Sequence, residues 1–260
     1  MEIIEKDECF VEEDHGFVSV FDFDHTKIIV RRKHDGKYFF ARSPAGLHTV
    51  TPDHIKGLEL IEIPAEDVWP AFSSRFTQAP QPIPEGAYIK RPRLLDFDYD
   101  QTQVSQEYSN QLLREVEICE LLAKHPHPNI VEYLGCVVEG GRIVGLCLKK
   151  HDMTLWDKVD AGVAFDSEAC LQGIEDGLKR LHRLGLVHND LNPWNIEVDK
   201  EGTNPVITSF GSCRREGEEL GRERGTAGWT KEGITHANRE NDLYALSLIR
   251  EFPMKTKSRN

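Results

Sequence analysis

Hydrophobic positions near the start of the chain alternate with polar ones. Val18, Val20, Ile28 and Val30 keep that period across residues 17–42, and His34-Asp35-Gly36-Lys37 supplies an Asp-Gly turn before Tyr38-Phe39-Phe40. A period of two with such a turn predicts antiparallel strands, because alternate side chains share one sheet face. Prolines at 44, 52, 64 and 70 then loosen the pattern, and Pro80-Gln81-Pro82-Ile83-Pro84 predicts a boundary or linker. Beyond it the period lengthens. Ala87-Tyr88-Ile89-Lys90 predicts a short strand halted by Pro92. Leu112, Leu113, Val116, Cys119, Leu122 and Ala123 fall on one stripe of a helix over 104–124, ended by Pro126 and Pro128.

Two strands, 130–138 and 142–148, follow around a Glu139-Gly140-Gly141 turn. A helix over 167–184 carries Leu171, Ile174, Leu178, Leu181 and Leu184, with Ser167 as its expected N-cap and Gly185 as its stop. Short strands at Ile196-Glu197-Val198 and Val206-Ile207, and a last helix from about Asn241 to Arg250, complete the reading. No internal repeat or low-complexity tract interrupts it.

The net charge of -12 excludes nucleic acid or an anionic membrane as the main partner, since both would repel the chain. The basic run Arg31-Arg32-Lys33 is short and reads as a solvated strand end. None of the six cysteines forms a C-x-x-C pair, and most lie in apolar runs such as Leu146-Cys147-Leu148, where a reduced thiol packs as a small hydrophobe. Met1-Glu2-Ile3-Ile4-Glu5 lacks a signal-peptide core, and no apolar run approaches the length of a membrane span. The expectation is an intracellular, cytoplasmic setting.

Candidate chemistry sits at His188-Asn189-Asp190-Leu191-Asn192-Pro193-Trp194-Asn195. Phosphoryl transfer needs a cation on the phosphates, metal ligands and a carboxylate that orients the attacking hydroxyl. Asp190 and Asn195, five residues apart on a turn after an apolar helix, supply a carboxylate for the proton and an amide oxygen for a metal. An accidental polar turn is the bland alternative, and the pattern H-x-D-x-x-x-x-N after Leu-Gly-Leu-Val is specific enough to set it aside.

The order of elements around this loop resembles that of a protein kinase from about residue 85 to 250. The similarity is to compact fungal kinase-like proteins with an H-N-D-[IL]-N-P-x-N loop. It implies an α+β, bilobal kinase-like fold: a β-rich N-terminal extension at 1–78, an N-lobe at 79–148 and a truncated C-lobe at 149–260. By the same resemblance Lys90 is the phosphate-binding lysine, Glu115 its helix partner (with Glu117 the fallback), Leu148 the gatekeeper, and Lys149, Lys150 and His151 the hinge. His127-Pro128-Asn129-Ile130-Val131 matches the phrase leading into the fourth strand, and Gly225-Thr226-Ala227-Gly228-Trp229 the end of an activation segment. Cys119, Tyr133, His188 and Phe210 align with the four stacked side chains that couple the lobes, and Asp242 with the buried aspartate beneath the catalytic loop.

The chain departs from the family pattern where charge matters. Between Pro70 and Lys90 there is no Gly-rich loop, and Ser209 stands where the second metal aspartate is expected, a poor ligand for a hard cation. Asn192 replaces the catalytic-loop lysine and Asn189 the arginine that pairs with a phosphorylated segment. Tyr88 as roof and Glu197 as floor of the adenine slot would fill it or desolvate badly against a purine. These departures imply a pseudokinase or a very weak Ser/Thr-type kinase with impaired ATP and magnesium binding, acting mainly through an unidentified protein partner. An active ATP-dependent protein kinase, or a small-molecule phosphotransferase, is the alternative; ATP and Mg2+ are the cofactors if the domain is active, and none if it is not.

One motif points elsewhere. Phe21-Asp22-Phe23-Asp24-His25-Thr26 matches the D-x-D-x-T nucleophile pattern of haloacid-dehalogenase-type phosphatases. That fold requires a parallel α/β domain, whereas residues 27–84 predict hairpin strands and proline-rich turns, so Asp22 and Asp24 are expected on an exposed strand or turn.

Overall fold

Two long strands, β1 (Glu2–Asp14) and β2 (Ser19–Arg31), open the structure as an antiparallel ribbon, with register shifts between Ile3 and Glu5 and between Cys9 and Phe10. The computed structural model describes residues 1–14, 19–96, 107–221 and 225–253. Val18 and the expected helix start at 104–106 lie outside them. β1 was not expected from its sequence, because carboxylates break its apolar pattern; its backbone ladder to β2 sets it in place. A hairpin at Gly36 (φ 73°) leads into β3 (Tyr38–Ser43), and β4 (Ile61–Ile63) completes the sheet in the order β1-β2-β3-β4. A one-turn helix, α1 (Ala65–Val68), follows.

The chain divides into two compact units, Met1–Ala71 with Arg91–Leu112, and Phe72–Lys90 with Leu113–Asn260. In the first, Ile28, Val30, Phe39 and Ala41 from the sheet pack with Val50 and Ile55 from the loop beyond β3. Each fully buried aliphatic or aromatic side chain there is worth about 1.5–3 kcal/mol of transfer free energy. Glu5 accepts the N–H groups of Leu94 and Leu95, both at 3.1 Å, so residues 91–96 are held to β1. The D-x-D-x-T segment lies inside β2, a strand of an antiparallel sheet, with Asp22 and Asp24 exposed.

The second unit starts from a three-stranded antiparallel sheet, β5 (Ala87–Lys90), β6 (Tyr133–Glu139) and β7 (Arg142–Lys149), in the order β5-β7-β6. The free side of β6 receives the chain at Gln78, where Ala79 N donates to Cys136 O at 2.8 Å and Cys136 N to Thr77 O at 2.7 Å. Gly135 allows this approach: at φ 126° a Cβ would stand 2.6 Å from the Ala79 nitrogen. Helix α2 (Glu107–Ala123) buries Val116, Cys119 and Leu122 on the expected stripe, but Leu113 is only half-buried and Ala123, at the helix end, is exposed.

A capping box between Thr154 and Asp157 starts α3 (Leu155–Asp160) after the short strand β8 (Met153–Thr154). Helix α4 (Ser167–Arg183) is capped by Asp166, whose carboxylate accepts from Ala169 N, not by Ser167 as expected; Ser167 is the first helical residue. Cys170, Ile174, Leu178 and Leu181 form its buried face. Gly177 lets the Asn129 carbonyl close on that helix, since a Cβ there would meet it at 2.7 Å. The rest comprises β9 (Leu186–Val187), β10 (Ile196–Val198), β11 (Val206–Ile207), β12 (Arg214–Arg215) and α5 (Arg239–Glu251). They form the sheets β11-β10-β8 and β12-β9, with α5 alongside. No helix among the described residues is long and apolar enough to cross a membrane.

Candidate functional site

The turn between β9 and β10 carries the polar residues singled out in the sequence, and a buried carboxylate fixes it from below. Asp242, in the first turns of α5, is fully buried. It accepts His188 N at 2.9 Å, Asn189 N at 2.8 Å and His182 Nε2 at 2.8 Å. Asn189 adopts a left-handed conformation (φ 63°) that turns the chain over this anchor. Its amide donates to Val187 O and Ser212 O and accepts from Asn241 Nδ2. This staple was missed in the sequence, where Asn189 registered only as a missing arginine.

His188 accepts Asp190 N at Nδ1 and therefore donates from Nε2 to Thr208 O, at 2.8 Å. Its ring meets Phe210 edge-on at 5.5 Å between centroids. Thr208 N in turn donates to Asn195 O at 2.9 Å, which places the segment carrying Ser209 beside Asn195. Ser209 is left-handed (φ 62°) and leads into a short 3-10 turn, Phe210–Ser212.

Asp190 is surrounded by donors. One carboxylate oxygen accepts Asn192 Nδ2 (3.0 Å), Thr226 N (2.8 Å) and Thr226 Oγ1 (2.7 Å); the other accepts Asn195 Nδ2 (2.8 Å). Asn192 also accepts Trp194 N and Asn195 N, closing the turn on itself. Thr226 was read in sequence only as part of a segment end; the structure brings its hydroxyl onto the carboxylate. Gly225 permits this approach, because a Cβ there would meet the Asn189 carbonyl at 2.6 Å.

Lys90 on β5 and Glu115 on α2 meet at 2.6 Å, with the Glu115 side chain 8% exposed. Glu117 points elsewhere and pairs with Arg75 at 2.6 Å. Cys119, one turn beyond Glu115, is buried; burial pushes its thiol up, Glu115 adds to the shift and Lys90 opposes it. Tyr133 is buried on β6, its hydroxyl 3.1 Å from Cys136 Sγ and donating to Glu120, and burial likewise raises it.

Tyr88 and Leu148 are directly opposed in the β5–β7 register, Leu148 buried and Tyr88 half exposed. Lys150 is exposed and its N–H donates to Gly86 O. Glu197 on β10 is partly buried; burial raises its carboxyl, and a hydrogen bond from the backbone N–H of His151 opposes that rise. The His151 ring is itself pushed down by burial and by Lys149.

As a cradle for magnesium these residues do not fit. Asn195 offers one amide oxygen and Ser209 a hydroxyl, and Asp190 is already engaged by four donors. A small hard cation is held by carboxylates with near-octahedral order.

A strand lysine bridged to a helix glutamate, together with an H-x-D-x-x-x-x-N turn anchored on a buried aspartate, defines the architecture of the kinase class. Residues 98–250 match the family model for the protein kinase domain, so the chain belongs to the protein kinase family. It is 33% identical over 122 residues to the serine/threonine-protein kinase/endoribonuclease IRE1 of Hypocrea jecorina, covering 40% of this chain and 10% of that protein. It is 32% identical over 130 residues to the receptor-like serine/threonine-protein kinase SD1-7 of Arabidopsis thaliana, covering 45% and 15%. Against the human serine/threonine-protein kinase H1 it is 31% identical over 114 residues, covering 40% and 27%. The chain thus matches a minor part of each of these relatives, which are distant Ser/Thr kinases.

Proposed function

We propose that residues 79–148 and 149–260 act as the two lobes of a kinase-like fold carrying a β-rich extension at 1–78, and that this domain is a pseudokinase working through a protein partner. The observation that carries the reading is the engagement of Asp190: its carboxylate is filled by Asn192, Asn195 and Thr226, and Ser209 beside it brings no second carboxylate for a metal. An acceptor already holding four donors is a poor base for an incoming hydroxyl.

The base end of the cleft supports the same reading. Glu197 takes the His151 N–H, a hinge donor a purine would need, and Tyr88 stands half exposed at the roof position. Lys90 and Glu115 keep the bridge of an assembled cleft, which in this reading holds strand to helix. The cysteines are all free, which supports a reducing intracellular setting.

The test is a thermal-shift titration with ATP and magnesium, followed by radiolabel transfer to a generic acceptor. No saturable stabilisation and no transfer are expected. Clear stabilisation together with transfer that disappears in Asp190→Ala overturns the proposal in favour of a weak Ser/Thr kinase; turnover of a small hydroxylated substrate would make it a small-molecule phosphotransferase.

A further inference from the structure

The D-x-D-x-T stretch, unused by any reading of the cleft, lies in the far half of the β1–β2 ribbon. β2 pairs with β3 only from Thr26 to Arg31, so residues 19–25 pair, among the described residues, with β1 alone. Among the described residues the stretch before Thr26 is therefore a two-stranded ribbon with open edges. Phe10 stands opposite Phe23 and Glu12 opposite Phe21, so the three phenylalanines share one face. They are 53%, 39% and 64% exposed for Phe10, Phe23 and Phe21 respectively, and the Phe10 and Phe23 rings touch edge-on at 6.3 Å. The opposite face presents Val11, Asp22 and Asp24, all exposed.

Exposed aromatic side chains gathered on one face mark an interaction surface more often than a solvated one. Protein edges are usually protected by lysine or proline, and residues 9–14 and 19–25 contain neither. Charge decides the occupant. Those two segments carry five carboxylates and no lysine or arginine. A second copy of the chain would set five carboxylates against five, and nucleic acid or an anionic bilayer would meet the same repulsion.

We infer that this ribbon docks an extended, basic segment of a partner protein whose apolar and cationic side chains alternate. Added along the open edge, such a strand satisfies the unpaired backbone groups of the ribbon. Its period of two lays apolar side chains on Phe10, Phe21 and Phe23 and sends lysines or arginines to Asp22 and Asp24 on the other face. The proposal does not depend on whether the kinase cleft is active.

Fluorescence anisotropy of the whole protein with a labelled peptide repeating Lys-Val-Lys-Phe tests it. Controls are a peptide of the same composition with its lysines in one block and a peptide with glutamate for lysine. Saturable binding of the alternating peptide alone is expected, weakening steeply between about 0.05 and 0.5 M salt. The pair Phe21→Ser with Phe23→Ser should weaken it about tenfold or more. Asp22→Lys with Asp24→Lys should weaken it comparably, and because all four side chains are exposed, both variants should keep the parent melting curve. Equal binding of the block peptide, or binding unchanged in both variants, overturns the inference. So does a concentration-dependent dimer abolished by Phe21→Ser with Phe23→Ser, which would make a second copy the occupant, or capture by phosphatidylserine vesicles.

Discussion

Asp242 is the residue whose removal the structure allows to be priced most directly. Its carboxylate is fully buried and holds two backbone N–H groups, of His188 and Asn189, at 2.9 and 2.8 Å. Both residues are themselves buried, so neither N–H can turn to water in the native state. In Asp242→Ala each is left unpaired at about 1–3 kcal/mol, and His182 loses a partner as well. The expected loss is about 3–5 kcal/mol, a large share of the about 5–15 kcal/mol that holds a typical domain together. Asp242→Asn keeps one acceptor oxygen but turns an NH2 toward the other donor, and should cost about half as much. Thermal unfolding followed by tryptophan fluorescence reads this well, because Trp156, Trp194 and Trp229 share a unit with Asp242 and Trp69 alone lies in the other. Deuterium exchange at the His188 and Asn189 amides localises it. A loss below about 1 kcal/mol with both amides still protected would refute the anchoring argument.

Two further outcomes follow from burial. Burial raises the Glu197 carboxyl above its ordinary value of 4.5, so the unfolded chain ionises first and ionisation opposes folding. The cost is absent below the unfolded pKa and grows as pH rises through the folded one; Glu197→Gln, which keeps an acceptor for His151 N–H, should therefore melt higher than the parent at neutral pH and lose that advantage below about pH 4.5. Cys136 and Cys170 are pushed up to about 11 and about 12 by burial, Cys119, Cys147 and Cys213 are also buried and raised, and Cys9 alone is partly exposed. Titration of the native protein with a thiol-disulfide reagent near pH 8 should accordingly modify at most Cys9 quickly and all six cysteines only after denaturation; rapid modification of several native thiols would contradict the packing described.

Much of the second unit was legible in sequence, and for a common reason. The buried core of the α2 stripe (though not its exposed last member, Ala123), the face of α4 and the glycines after β6 are positions where one local rule dictates the residue, so pattern alone finds them. The Lys90–Glu115 bridge was reachable only through family resemblance, since 25 residues separate partners that no local period connects. The first unit was less legible. β1 interleaves carboxylates with its apolar residues because its far half pairs with β2 alone among the described residues and leaves Phe10, Val11 and Glu12 exposed, and alternation appears in a sequence only where one face is buried. The N-cap of α4 was misassigned by one residue because Asp166 and Ser167 are both good caps, and only side-chain geometry separates them.

The least legible feature was the role of the loop's polar residues toward one another. Read as a motif, Asp190 and Asn195 point outward, to a substrate hydroxyl and a metal. In the structure they point inward: Asn195 Nδ2 holds the Asp190 carbonyl and carboxylate, Asn192 closes the same turn, and Thr226 ties it to the following segment. Replacing Asp190 by an apolar residue would leave these donors without their acceptor, whether or not the carboxylate ever receives a proton. The fold alone therefore calls for a hydrogen-bond acceptor at this position, before any proton transfer does. A motif whose members satisfy each other is recognisable from the turn it builds, so its presence measures the integrity of the turn before it measures catalysis.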